Sequence, residues 1–530
     1  MKLRIWYVLP SVLSFFLSVP LMSGVASADS EITEFRGGIL SVRMSGSSSF
    51  LYGPGAYSAG MGGTFSGVVN RSAGVFSNPA GLGFLEKSNL TFDTNPGFMI
   101  DPARFYDIQG KIDEAVDDVV KDMSPEEKKG TVIEDMKKRG KLNYIDFSMK
   151  GGLSGGLHTG SIGLVLPGLV FGAGVYQPLN LNLSAVWTGF KTAIENTEVS
   201  DGDTTITTFL ATTDANINMR TRVNLTTLAL SREVVPDWTV GLSLDRYDMR
   251  LLVDAKFNNE GMISSTARGE EAFGDPTLGW LGPGKQNTLD ALIRGDFEDT
   301  GWGVKIGTSY RLGRHLSFDG FLNFPPSLDL RGRLMVSHNT LDALNLEAEE
   351  GEDILDTSKL ILSQLTRTKN ATTTSDYLHI NLPRSYNLGA AFHAGSFAFV
   401  LNYSQYSGEL SFDYRCETKE AITPPPSAAS RDDSVVVLHR AYSEGLRLKN
   451  GIRMGLDLRY LRFGGGVIFA DEVSSGFKDK EGNPREPVTD LPLPFFSMAM
   501  TIPIGDNLRI GTVLVALPLM ALRTSVDYSF

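Results

Sequence analysis

The sequence predicts an all-β protein: a transmembrane antiparallel β-barrel of about 14 strands, with an N-terminal plug or hatch inside its lumen and helical extracellular loops. Three observations predict it. The chain opens with an export signal, its later segments alternate apolar and polar residues, and it stops on an aromatic strand.

The export signal comes first. Lys2 and Arg4 give a positive start, Ile5 to Met22 form an apolar stretch, and Ala26-Ser27-Ala28 offers small residues before Asp29. That is the pattern a signal peptidase cleaves, so residues 1–28 are expected to be removed. A membrane anchor is the competing reading, and Pro10, Pro20 and the small-residue exit count against it.

Composition narrows the class. Glycine supplies 56 of 530 residues, aromatics 10% and charged residues 21%. A mean hydropathy of −0.06 fits strands that average an oily face with a wet one, where a helical membrane protein would be far more apolar. After the signal no uninterrupted apolar run reaches the ~18 residues of a spanning helix. Ile162 to Val175 comes nearest, and Pro167 and several glycines break it. The formal net charge of −12 gives no electrostatic reason to bind nucleic acid. The single cysteine, Cys416, excludes an intrachain disulfide and reads as a chance loop residue.

Alternation then supplies the strands. Val240, Leu242 and Leu244 point one way, while Thr239, Gly241, Ser243 and Asp245 point the other. Val304, Ile306, Thr308, Tyr310 and Leu312 alternate with Gly303, Lys305, Gly307, Ser309, Arg311 and Gly313. Met454, Leu456, Leu458 and Tyr460 alternate with Arg453, Gly455, Asp457 and Arg459, and Phe397, Phe399, Leu401 and Tyr403 repeat the pattern. A period of two belongs to strands, whose successive side chains leave opposite faces. One face is aliphatic and aromatic, the other Gly, Ser, Asn, Asp, Lys and Arg. Segments of about 9–11 residues match a tilted strand crossing a bilayer. A soluble sandwich would alternate similarly in shorter strands.

The end of the chain agrees. Val526, Tyr528 and the terminal Phe530 share a face, like the closing strand that the barrel assembly machinery reads. The last strand must pair with the first, because an open edge in lipid leaves backbone groups unsatisfied. Candidate strands number roughly 14 to 18. They begin near 88–98 and run to 521–530, so the barrel is expected over residues 88–530.

Long connections interrupt it, with helical insertions expected near 101–140, 258–297 and 339–370. Ile108, Ile112, Val116, Val119 and Met123 make a helical stripe, and Glu349 to Leu365 holds another amphipathic helix. Residues 417–434, with Pro424-Pro425-Pro426, read as disordered.

Residues 29–87 are set apart as an N-terminal extension and hatch. Within them, Gly60-Met61-Gly62-Gly63-Thr64-Phe65 and Asn78-Pro79-Ala80-Gly81-Leu82 do not alternate. So much Gly, Ser and Ala suits compact packing of backbone on backbone rather than a lipid-facing strand. These two stretches resemble the hatch of the FadL/TodX family of outer-membrane transporters for long-chain fatty acids and aromatic hydrocarbons. Gly301-Trp302-Gly303-Val304-Lys305-Ile306-Gly307 is similar to its mid-barrel strand, and Leu382-Pro383-Arg384-Ser385-Tyr386 to a later strand opening. Where the family often has an acidic pair after the glycines, this chain has Val69-Asn70-Arg71-Ser72.

The resemblance implies a hatch built on Gly60, Gly62, Gly63, Asn78, Pro79 and Ala80. It also implies an outer-membrane channel, in a Gram-negative bacterium, for passive uptake of hydrophobic small molecules such as long-chain fatty acids. The alternative is a barrel that serves as scaffold or shuttle for secreted proteins and carries no small molecule. A transporter needs an apolar pocket beside the hatch, and a scaffold needs none. The expected partners are a hydrophobic ligand, outer-membrane lipids and, through Phe530, the assembly machinery. Ligand-contacting residues are not legible, although inward Lys305, Arg453 and Arg459 could meet a carboxylate or pair with lumen acids such as Asp457. No His-Glu-x-x-His motif or cysteine pair points to a metal or a cofactor, and no enzymatic activity is expected.

Overall fold

The structure, a computed structural model, describes residues 30–48, 53, 55–66, 71–94, 142–143, 146–151, 156–200, 203–267, 270–273, 288–344, 366–423, 434–475, 488–516 and 521–530. The signal segment, the expected helix over 101–140 and that over Glu349 to Leu365 lie outside them.

Two strands come first, β1 (Ser30–Arg36) and β2 (Ile39–Ser48). A short helix, α1 (Ala56–Gly60), and two 3-10 turns, Ser72–Phe76 and Pro79–Phe84, follow. Among the described residues every later element is a strand. The first half holds β3 (Asn89–Thr94), β4 (Leu142–Asn143), β5 (Asp146–Gly151), β6 (Leu157–Leu166), β7 (Leu169–Ser200), β8 (Asp203–Val235), β9 (Trp238–Ala267), β10 (Glu270–Phe273) and β11 (Thr288–Leu312). The second half holds β12 (Leu316–Phe324), β13 (Leu328–Leu344), β14 (Thr366–Asn381), β15 (Arg384–Ala394), β16 (Phe397–Ser407) and β17 (Leu410–Thr423). It ends with β18 (Ser434–Leu458), β19 (Leu461–Ser475), β20 (Leu491–Ile504), β21 (Leu508–Ala516) and β22 (Ala521–Ser529).

The strands close a ring of 14 positions. Antiparallel pairing runs from β3 through β6, β7, β8 and β9 to β11. Three composite positions follow, because proline or glycine interrupts each strand midway. β12 and β13 flank Pro325-Pro326, β15 and β14 flank Pro383, and β16 and β17 flank Gly408. A proline cannot donate to the ladder, so it divides a strand rather than continuing it. β18 to β22 complete the circuit, and β22 returns to β3 from Thr524↔Thr94 to Ser529↔Asn89. The terminal residue adds one more bond, Phe530 N donating to Ser88 O at 2.9 Å.

One end of the ring carries tight turns, several at positive φ, including Gly168 (φ 73), Asp237 (φ 65) and Gly395 (φ 62). Just beyond these turns the outward face is a belt of exposed apolar residues. Leu228, Leu230, Val240, Leu242, Leu244, Ile306, Phe318, Phe399, Leu401, Met454 and Met498 lie on it. Aromatic residues border the belt, with Trp238, Tyr310 and Tyr528 at the turn end and Trp302 at the other. Trp302 and Tyr310 are eight residues apart on one strand, roughly 20 Å of height at the usual tilt, which matches an outer-membrane hydrocarbon core. The alternation puts its apolar face towards lipid, as the sequence implies.

Several strands far outrun that belt. β7 has 32 residues, β8 33 and β9 30, about three times what a crossing takes. The wall therefore continues well beyond the bilayer at the end opposite the tight turns. This corrects two expected loop insertions. In 258–297, residues up to Ala267 belong to β9 and those from Thr288 to β11; in 339–370, β13 extends to Leu344 and β14 starts at Thr366. Likewise 417–423 are strand, and Cys416 sits half-buried in β17 rather than in a loop. The physical reason is shared: past the lipid the outward face turns polar, so the apolar-outward pattern that marks the belt strands no longer announces them.

The N-terminal extension is also strand. β2 pairs antiparallel with β7 from Ile39↔Thr188 to Ser48↔Leu179, and parallel with β5 from Ile39↔Asp146 to Met44↔Gly151. β1 repeats the arrangement with β7 and β4. Above the bilayer, then, the wall admits an extra strand between β7 and its expected neighbour.

Candidate functional site: the lumen and the segment inside it

Small residues around Gly60–Gly63 let backbone meet backbone. Gly62 (φ +71) lies against Gly464 and Gly465, where a Cβ would come within 2.5 Å of the Gly465 nitrogen. A Cβ on Gly60 would strike Ala499, and one on wall residue Gly455 would meet Met61. Gly63 also has φ 71 and closes the turn after α1, its N–H donating to Ser58 O at 2.8 Å.

Asn78 does most of the positioning at the second stretch. Its Oδ1 accepts from Ala80 N at 3.1 Å, capping the 3-10 turn that Pro79 begins. Its Nδ2 donates to Thr308 O at 3.2 Å on β11. Ala80 O accepts from Ser231 Oγ at 2.9 Å on β8 and from Thr239 Oγ1 at 2.8 Å on β9. Wall glycines make room, since a Cβ on Gly241 would overlap Pro79 and Ala80, and one on Gly307 would overlap Asn78.

Polar contacts tie the same segment to the opposite wall. Asn402 on β16 accepts from Phe65 N at 2.8 Å and donates to Ser66 Oγ at 2.7 Å. Ser497 on β20 accepts from Gly62 N at 3.1 Å, and Asp93 on β3 accepts from Gly55 N at 2.7 Å. Arg71 pairs with Asp527 on β22 at 2.6 Å. Tyr57 donates to Asp457 on β18 at 2.5 Å, with the Arg462 and Arg71 guanidiniums 3.9 and 4.4 Å from its ring centroid. Burial, and then the Asp457 charge, raise the Tyr57 hydroxyl above its ordinary range, so it stays a proton donor.

The structure thus brings Gly60, Gly62, Gly63, Asn78, Pro79 and Ala80 onto one internal segment that touches wall strands around the ring. Of the inward cations, Lys305 pairs with Asp245, and Arg453 donates to Ser404 at 2.8 Å and Tyr406 at 3.1 Å. Arg459 is a correction: it sits at positive φ in an exposed turn, because the hairpin needs that conformation there. Asp457 serves Tyr57 and Arg462 instead. Sequence reading missed Asp527 and Tyr57, whose partners lie 456 and 400 residues away.

Above this segment the inner face is apolar. Val75, Phe76 and Leu82 pack with Val170, Tyr176, Val223, Leu225, Tyr247, Met249, Phe297, Leu328 and Leu378. Leu334 joins that cluster to one around Phe257 and Ile293, and Trp187 and Ile217 join the latter to Leu40 and Val42 of β2. An unbroken greasy lining therefore runs from the internal segment up into the extended wall. Among the described residues no group of three or more His, Cys, Asp or Glu is placed to hold a metal.

A closed antiparallel ring, an apolar belt of bilayer height and an internal segment define the class: an outer-membrane β-barrel with an occupied lumen. Comparison with known proteins gives solved structures of similar architecture. The toluene transporter TbuX of Ralstonia pickettii is 13% identical over 91% of this chain and 98% of that one, with a TM-score of 0.38. The toluene transporter TodX of Pseudomonas putida gives 13%, 91%, 99% and 0.38, and a Pseudomonas aeruginosa FadL homologue 12%, 92%, 97% and 0.37. No family model and no curated protein matches the chain.

Proposed function

We infer that the protein is an outer-membrane channel for passive uptake of hydrophobic small molecules such as long-chain fatty acids, with the described residues 55–66 and 71–85 as its plug. The apolar lining that begins at Val75, Phe76 and Leu82 carries this reading. A scaffold for secreted proteins has no use for such a lining. Burying a long alkyl chain there yields about 0.8 kcal/mol per CH₂, enough for capture without covalent chemistry. Concentration alone drives entry, and passage follows when the plug shifts or strand pairing opens beside it.

The test is complementation of a fatty-acid-uptake mutant, with membrane insertion checked by the heat-dependent gel mobility of folded barrels. Uptake of labelled oleate above the empty-vector level is the expected result. A folded, inserted barrel that takes up neither oleate nor an aromatic hydrocarbon would overturn the reading in favour of the scaffold.

A further inference from the structure

The outward face just beyond the belt carries a second site, independent of the lumen. Arg222 on β8 stands opposite Arg250 on β9, Arg250 opposite Glu298 on β11, and Glu298 opposite Arg331 on β13. Four charged side chains thus form one row across four adjacent strands. Their sequence neighbours Val223, Met249 and Phe297 are buried on the inner face, so the row faces outward. Together with Asp248 and Thr300, these four line a crevice of about 740 Å³.

Two features separate this row from an ordinary solvated face. First, like charges directly opposite on neighbouring strands are unfavourable, and Arg222 and Arg250 are such a pair. Second, the guanidiniums are unequally used. Arg250 is held by Asp296 through bonds of 3.0 and 2.7 Å. Arg222 and Arg331 make no hydrogen bond or ion pair among the described residues. Two uncommitted forks beside a repelling cation are arranged for an anion that arrives from outside the chain.

Depth identifies the anion. Thr300 lies two residues beyond Trp302, the aromatic residue that borders the belt on β11. The row one step further is therefore roughly 10 Å past the hydrocarbon edge, the level of lipid headgroups. It is on the long-strand side, which faces outwards in such barrels. The outer leaflet there is built of glycolipid that carries phosphates on its sugars. Guanidiniums suit the phosphate, and Asp248, Glu298 and Thr300 suit sugar hydroxyls.

We propose that Arg222, Arg250 and Arg331, with Glu298 and Asp248, form a binding site for the phosphorylated sugar headgroup of an outer-leaflet glycolipid. The site fixes an annular lipid against the β8–β13 wall and sets the depth at which the barrel rides.

The experiment uses the folded full-length barrel in dodecyl maltoside, with diphosphoryl lipid A as probe and bound lipid read by native mass spectrometry. Arg222→Ala/Arg331→Ala is expected to weaken binding by about tenfold for each guanidinium removed. Lys256→Ala, further along β9 on the same face, is expected to leave it unchanged. Should the alanine pair fail to fold, Arg222→Lys/Arg331→Lys keeps the charge and loses the fork, with a smaller loss expected. Equal loss in Lys256→Ala, equal binding of dephosphorylated lipid A, or no loss in either Arg variant would overturn the site. Displacement by equimolar inorganic phosphate would overturn the lipid and reassign the row to the free ion.

Discussion

Arg71 finds its counter-charge at the far end of the chain. Asp527, on the closing strand, supplies the carboxylate, and both side chains are about nine-tenths buried. Breaking such a pair strands a buried charge. Arg71→Met should therefore cost about 3–5 kcal/mol, while the double change Arg71→Met/Asp527→Leu should recover most of it. Urea unfolding of the detergent-solubilised barrel gives the cycle, and equal losses in single and double variants would remove the pair from the account. Asn78 works differently, by satisfying backbone groups of its own turn and of β11 at once. In the sequence Asn78 stood out only through the resemblance of its Asn-Pro-Ala stretch to a known hatch; the cap itself is local chemistry that the resemblance did not spell out. The Arg71–Asp527 pair was not legible, because nothing local records a partner at the other end of the chain.

At the level of elements, the period of two located the belt strands correctly wherever lipid wets one face and the lumen the other. It failed past the lipid, where the outward face is polar as well. The run Asp203–Thr213 of β8 contains six threonines and no alternation, yet it is strand throughout. The N-terminal strand was illegible for another reason, since its pairing with β5 is parallel and separated by about a hundred residues of sequence. Gly46 is the point at which that strand can be tested. It adopts φ +133, and a Cβ there would overlap Asn180 of β7. Gly46→Val should destabilise the β2–β7 pairing on the order of 1–3 kcal/mol. Hydrogen exchange should then quicken in β2 and in Leu179–Thr188, with β20 to β22 as the unchanged reference; uniform exchange would show that β2 contributes nothing separate to the wall.

For the whole molecule, membrane depth decides what a substitution costs. Leu242 lies within the belt on β9, whereas Leu252 lies beyond it on the same strand. Leu242→Arg should cost about 2–4 kcal/mol in vesicle refolding, and Leu252→Arg no more than ~1 kcal/mol. Equal costs would mean that the bilayer sits elsewhere on the wall. The belt also limits how the chain reaches its final state. The internal segment is bonded to β3 through Asp93 and to β22 through Asp527, the two strands whose pairing completes the circle.

That arrangement couples two events. A segment held by both lips of a seam ties them together, so seating the segment and shutting the seam reinforce one another. Loosening the grip of Arg71 on Asp527, or of Gly55 on Asp93, would therefore be felt at the junction of the first and last wall strands as well as inside the ring.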